Sequence, residues 1–215
     1  MSRPQLLIGN KNYSSWSLRP WLLLRHFEVD FEERRLPLDT PEFRAEIAKW
    51  TPSLRVPVLR FGDQSIWDSL AICEAINERW LSGAGWPDSR SSRALARAVS
   101  CEMHSGFAAM RNEMPMNVRR DPRPVQLSAS AQADCTRVQA IWSDCLQRSG
   151  GPWLFGGFSI ADAFYAPVVW RFRSYAIATR GAARDYSQAL LVHPAMRAWQ
   201  SDALAESERL PQDDL

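Results

Sequence analysis

Arg55-Val56-Pro57-Val58-Leu59-Arg60-Phe61-Gly62-Asp63-Gln64-Ser65-Ile66-Trp67-Asp68-Ser69-Leu70-Ala71-Ile72 is the stretch on which the reading of this chain turns. Val56 to Phe61 and Gln64 to Trp67 are short β-prone runs. Gly62-Asp63 between them is a tight-turn signal, so the stretch predicts a hairpin. Pro57 either opens an edge strand or forms a cis bond that presents the Val56 backbone to a peptide-like ligand. The residues alone leave both open. Asp68-Ser69 then start a helix that carries Ile72, Ala75, Ile76 and Arg79-Trp80 on helical spacing. As plain caps they need no ligand. The same pair can also grip one, with Ser69 and the first-turn amides on a carboxylate and Asp68 on an ammonium.

Toward the N-terminus the pattern alternates strand and helix. Gln5 to Gly9 is a compact apolar strand. Asn12-Tyr13-Ser14-Ser15-Trp16-Ser17 follows, and then a helix with Trp21, Leu24 and Phe27 inward and Pro20 expected in its first turn, where proline is tolerated. Phe31 to Leu36 reads as a second strand. Asp39-Thr40-Pro41-Glu42 caps a short helix through Lys49. The order β-α-β-α-β-β-α indicates a small α/β domain over residues 1–81. Hydroxyls at the start of the first helix normally cap it; alternatively one donates to a bound thiolate, aided by the positive helix end.

Residues 82–92 are rich in Ser, Gly, Pro and Asp and read as a linker to an all-helical domain over 93–215. There Leu95, Val99, Met103, Phe107 and Met110 form one apolar stripe, and Cys135, Val138, Ile141-Trp142 and Cys145 another. Met114 to Pro124 carries three prolines and reads as a loop. Ser159-Ile160-Ala161-Asp162 resembles a capping box opening an almost wholly apolar helix through Ile177, kinked at Pro167. A helix apolar all round belongs at the centre of its domain.

Composition excludes several classes. With 26 Lys+Arg against 24 Asp+Glu over 215 residues, the net charge of +2 is a poor footprint for nucleic acid. At 46% hydrophobic and 23% charged the chain is globular rather than disordered. No apolar run approaches a bilayer span, and Met1-Ser2-Arg3-Pro4 opens no signal-peptide core, so a cytoplasmic setting is expected. Cys73, Cys101, Cys135 and Cys145 are too widely spaced for a CxxC motif and fall on helical patterns, so buried inert thiols and no metal are expected.

Together the serine cluster, Val56-Pro57 and Asp68-Ser69 resemble the glutathione S-transferases. Val56-Pro57 is similar to that family's cis-proline signature, and Asp68-Ser69 to the Glu/Gln-Ser pair on the γ-glutamyl group. Ser159 to Asp162 resembles its capping box, and His193 to Trp199 its late helix. The resemblance implies a thioredoxin-like α/β domain followed by an all-α domain, with glutathione as co-substrate and a homodimer. Ser14-Ser15-Trp16-Ser17-Leu18-Arg19 resembles the Ser-Ser-Cys-Ser-x-Arg stretch of zeta-class members, which include maleylacetoacetate isomerases. That match makes Ser14 the catalytic hydroxyl, with Ser15 as substitute. Arg55, Val56, Pro57, Asp68 and Ser69 would then hold glutathione, with Arg55 on its glycine carboxylate. A small electrophile would lie against Tyr13, Trp16, His104, Phe107 and Met110, with Ser105 nearby. Trp16 in place of cysteine, and Arg171 and Arg173 near rather than at the zeta-class substrate arginine, where Ser174 aligns, are departures. They bear on isomerisation more than on glutathione binding. The competing readings are an isomerase and a non-catalytic interaction protein of the same fold. A glutaredoxin-like dithiol enzyme is disfavoured by serine where that chemistry needs cysteine. A serine hydrolase lacks its Gly-x-Ser-x-Gly elbow, and His26, His104 and His193 have no triad context.

Overall fold

A computed structural model describes residues 3–214. Met1, Ser2 and Leu215, which belong to the leaderless start and to the outer domain limits expected above, lie outside the described residues. The first half runs β1 (Gln5–Ile8), α1 (Ser15–His26), β2 (Glu32–Arg35), α2 (Pro41–Ile47), β3 (Val58–Phe61), β4 (Gln64–Trp67) and α3 (Ser69–Arg79). The four strands form one sheet in the order β2-β1-β3-β4. β1 pairs parallel to β2 and antiparallel to β3, and β3-β4 is the expected hairpin. Gly62 turns it at φ +53°, a left-handed conformation that glycine adopts without a Cβ penalty. Because side chains alternate along a strand, β1 feeds two cores. Leu6 and Ile8 pack with Leu18, Leu22, Ile72 and Ile76 of α1 and α3, whereas Leu7 joins Val58, Ile47 and Trp50 on the α2 face.

The second half is helical: α4 (Arg90–Ser105), α5 (Ala108–Glu113), α6 (Ala129–Ser149), α7 (Ile160–Ser174), α8 (Gly181–Val192) and α9 (Pro194–Ala205), closed by a 3-10 turn at Pro211–Asp213. α7 is buried on all sides and packs against α1, α4 and α8, as an apolar helix must. Its start is a true capping box: the Asp162 carboxylate accepts from the Ser159 amide (2.8 Å), the Ser159 hydroxyl (2.9 Å) and the Leu154 amide (3.0 Å).

Several expectations are corrected. Pro20 is the sixth residue of α1, not a first-turn residue, because the helix already begins at Ser15; the amide it lacks would have bonded the Trp16 carbonyl. The stripe from Leu95 to Met110 spans two helices. Gly106 is extended and Phe107 left-handed at φ +57°, so the chain turns between α4 and α5. A side chain at Gly106 would stand 2.7 Å from the Glu102 carbonyl oxygen, which is why glycine ends α4. α4 starts at Arg90, within the expected linker, since Ser89 caps it through the Ser92 amide. α7 stops at Ser174 rather than Ile177, with Ala176 left-handed just beyond. Cys101 is exposed, unlike the other three cysteines.

The two halves are tied at the β1–α1 loop. Lys11 is buried with its ammonium 2.7 Å from Glu33 of β2 and 2.6 Å from Asp202 of α9, over the Trp21 and Trp199 rings. Asn12, fully buried, donates to Asn117 Oδ1 (3.0 Å) and accepts from the Arg119 amide (2.7 Å), which fixes the proline-bearing loop against α1.

Candidate active site

The site assembles where the starts of α1 and α3, the end of α4 and the β3 entrance converge. At α3, Asp68 Oδ1 accepts from the amides of Leu70 (2.8 Å) and Ala71 (3.4 Å), so the capping reading holds. Asp68 sits at φ +73°, ψ 130°, an unfavourable backbone for a residue with a Cβ, and such outliers cluster at ligand-binding sites. Its other oxygen lies 3.2 Å from His104 Nε2 of α4. His104 Nδ1 is 3.5 Å from an Arg19 nitrogen, which only donates. Nδ1 is therefore the acceptor and Nε2–H donates to Asp68. Burial lowers the His104 pKa, Asp68 opposes that, and Arg19 and Arg111 add to it, so the imidazole is neutral at neutral pH. Beside Asp68, Ser69 is 1% exposed and its hydroxyl accepts from Arg19 Nη1 at 3.2 Å.

The Val56–Pro57 bond is cis, settling the alternative left open by the sequence. A cavity of about 390 Å³ is lined by Arg55, Val56, Pro57, Asp68 and Ser69, all five expected ligand-holding residues. Trp16 lines it too, together with Ser53 and Trp67. A hollow of similar volume between the 117–123 loop and the C-terminal segment is lined mainly by charged side chains, Arg119, Arg120 and Asp214 among them, and holds no serine hydroxyl.

At α1 the hydroxyls do not cap. Ser14 Oγ lies 2.7 Å from Ser17 Oγ, which also accepts from the Gly9 amide at 3.2 Å. Ser15 Oγ accepts from Arg171 Nη2 of α7 at 3.3 Å. The two serines are 6% and 9% exposed; neither is among the cavity-lining residues, but both directly precede Trp16, which is.

The other expected electrophile contacts separate. Trp16 is packed by the Arg19 guanidinium at 4.1 Å, the Arg111 guanidinium at 5.3 Å and the His104 edge at 5.2 Å. His104 belongs to the Asp68 side of the site rather than to an apolar pocket. Tyr13 is buried, its hydroxyl donating to Asp214 (2.8 Å) and accepting from Arg119 (3.0 Å). Phe107 sits at the α4–α5 turn and Met110 is wholly within the core, so neither faces the cavity. Arg173 points to the Val118 carbonyl and Ser174 to the Asn117 carbonyl, away from the cavity.

The sequence marks Arg19 only as part of the serine motif and Arg171 only near the substrate-arginine position, does not single out Arg111, and gives none of them a buried place beneath the site. Arg19 is 2% and Arg171 5% exposed, and Arg111 is half-buried. Burial, and then Arg171 and Arg111, push Arg19 down to about 9; burial and Arg111 push Arg171 down to about 10. Periodicity places Arg19 on the inward face with Leu18 and Leu22, which is the one signal that could have found it. Burial pushes the Cys73 thiol well above its usual value and those of Cys135 and Cys145 up to about 11. These thiols are not nucleophiles at neutral pH. No His/Cys/Asp/Glu group fit to hold a metal occurs among the described residues, and no helix there is long and apolar enough to cross a membrane.

Residues 13–79 match the family model for the glutathione S-transferase N-terminal domain, and residues 125–199 the model for its C-terminal domain. A probable maleylacetoacetate isomerase of Caenorhabditis elegans is 30% identical over 110 residues, which is 51% of this chain and 50% of that protein. The chain thus aligns to about half the length of that relative. Among solved structures, a Burkholderia glutathione transferase homolog with bound glutathione superposes with TM-score 0.74 at 20% identity, covering 95% of this chain and 100% of that one. A glutathione S-transferase of the Antarctic clam Laternula elliptica gives 0.71 at 20% identity, covering 96% of each. With the α/β sheet domain, the helical domain and both family models in register, this chain belongs to the glutathione S-transferase family.

Proposed function

We propose that this chain is a glutathione transferase: it binds glutathione in the Val56–Ser69 cavity and adds its thiol to a small electrophile held on the α4 side. The observation that carries the reading is the cavity itself. It is lined by a buried serine and a capping carboxylate at the α3 start, by Arg55, Val56 and Pro57 at the β3 entrance and by Trp16 of α1. Ser69, through its hydroxyl and its own amide, suits the γ-glutamyl carboxylate, Asp68 its ammonium, the Val56 backbone the cysteinyl peptide group, and Arg55 the glycine carboxylate.

The sulfur then lies toward the α1 N-terminus. A free thiol with a pKa of about 8.5 is mostly protonated at neutral pH. Ser14, with Ser15 beside it, donates a hydroxyl hydrogen bond to the thiolate, and the helix end adds positive potential. The thiol proton leaves to water, and the sulfur lone pair attacks the electrophile. Homodimerisation and a cytoplasmic setting are part of the proposal, and rest on family membership.

Glutathione-dependent isomerisation is the second reading, favoured by the match to the nematode protein named for that reaction. The experiment is a panel of electrophiles, maleylacetone included, assayed with glutathione. Conjugate formation supports the transferase. Conversion of maleylacetone without net glutathione consumption supports the isomerase. Bound glutathione with no turnover of any panel member contradicts both and leaves a non-catalytic interaction protein.

A further inference from the structure

The Ser15 hydroxyl is held from behind by a guanidinium. Arg171 donates through Nη2 to Ser15 Oγ at 3.3 Å, through Nε to the Met114 carbonyl at 2.8 Å and through Nη1 to the Pro167 carbonyl at 3.4 Å. A guanidinium has donors and no acceptor, so Ser15 cannot donate back to it. The serine oxygen receives from Arg171 and its own proton is left for another acceptor. Ser14 differs, because its partner Ser17 is a hydroxyl that can act in either direction.

Arg171 is also not electrically quenched. Among the described residues, neither it nor Arg19 nor Arg111 forms an ion pair with a carboxylate. Asp213 and Asp134 act on Arg171 and Arg111 only at longer range. Arg19 is sandwiched between Trp16 at 4.1 Å and Phe164 at 4.5 Å, and its Nε is buried without a partner. Three neighbouring guanidiniums are thus held in a poorly solvated region behind the α1 start. Such a cluster is costly unless an anion completes it.

We propose that Arg171 is a positioning residue for the thiol chemistry, which orients the Ser15 proton, as a second donor beside Ser14, toward the bound glutathione sulfur and, with Arg19 and Arg111, supplies the positive field that keeps that sulfur a thiolate. No bond at Ser15 changes. The thiol proton goes to solvent, the Ser15 O–H stays intact as a donor to the sulfur, and the sulfur lone pair remains available for attack. This inference rests on the glutathione reading above.

The test is the thiolate ultraviolet absorbance of the glutathione-saturated protein as a function of pH, in the wild type, Arg171→Met, Arg171→Lys, Ser15→Ala and the Ser15→Ala/Arg171→Met double variant. Arg171→Met should raise the bound thiol pKa by about one unit, a tenfold loss of thiolate below it. Arg171→Lys should restore most of the shift. In the Ser15→Ala background Arg171→Met should add little, because the two act as one channel. An unmoved titration in Arg171→Met, a lysine variant no better than methionine, or an equally large shift without Ser15 overturns the proposal. If Arg171→Met fails to fold, Ser15→Ala against Ser15→Thr reads the same channel. Only loss of the hydroxyl should raise the pKa, and an unshifted Ser15→Ala overturns the proposal. Wild-type protein that binds no glutathione refutes the reading beneath; bound thiolate indifferent to Arg171 and Ser15 refutes this inference alone.

Discussion

Replacing Ser69 by alanine should abolish about half or more of the stabilisation that glutathione confers while leaving the fold intact. Ser69 is 1% exposed, stands first on α3 and accepts one hydrogen bond from Arg19. A hydroxyl donating to a buried carboxylate contributes about 1.5–3 kcal/mol, which is roughly a 10- to 150-fold change in Kd. At a glutathione concentration near 100 times the wild-type Kd, the ligand stabilises the native state by about 2.7 kcal/mol. Under the same conditions the variant should retain only about 0.3–1.4 kcal/mol. Without ligand, loss of the Arg19 contact costs about 1 kcal/mol, a fall in Tm of roughly 2–4 °C. The assay is thermal unfolding of both proteins with and without glutathione. An unliganded variant that melts near the wild type but gains as much from glutathione would refute the assignment of Ser69 to the ligand.

Other outcomes follow from the same structure. Lys11→Met leaves Glu33 and Asp202 without their shared cation and should cost about 3 kcal/mol, lowering Tm by roughly 6–12 °C; denaturant unfolding with no change in midpoint contradicts the anchoring role. Burial, and then His193, lower the His26 pKa from 6.5 to about 4. Between those values the unfolded chain binds more protons, so stability is lost as pH falls through that window. Asp162, raised to about 6 by burial, acts in the opposite sense below that pH. The discriminating comparison is therefore with His26→Phe, whose Tm should fall less steeply on acidification; parallel curves remove His26 as the cause. Cys101 is the exposed thiol, so a thiol reagent should label Cys101 alone in the native chain and leave glutathione binding unchanged, as read by mass spectrometry and calorimetry. Labelling of Cys73 without unfolding contradicts its burial.

Local patterns carried the α/β half well because its elements are short and sharply punctuated. Gly62-Asp63, Thr40-Pro41 and Asp68-Ser69 each end or start an element by chemistry visible in two residues. The Ser159–Asp162 box worked for the same reason. The α4–α5 break was hidden, since an apolar stripe continues across Gly106 and only the two-residue turn at Gly106-Phe107 separates the helices carrying Val99 and Met110. The α1 start was misplaced because proline at position six looks like a first-turn signal. At the site, Asp68, Ser69 and Val56-Pro57 were legible as neighbours in sequence. The pairing of Asp68 with His104 and of Ser15 with Arg171 was not, because each joins residues brought together only when α4 and α7 dock on the first domain. Helical periodicity could place Arg19 inward, but that a buried arginine lacks a carboxylate partner leaves no local pattern. Tyr13 and Met110 were drawn toward the site by proximity in sequence to residues of the candidate site, but tertiary packing turns one to Asp214 and the other into the core.

If the cavity between β3, α3 and α1 is a glutathione site, the folded chain binds glutathione on its own. Calorimetric titration of the wild-type chain with glutathione tests it most directly. A saturable heat with one glutathione per chain is expected, lost or strongly weakened in Ser69→Ala and Asp68→Ala. Absence of saturable heat in the folded wild type at concentrations on the order of 1 mM, where even a weak −4.1 kcal/mol interaction half-fills the site, would contradict it.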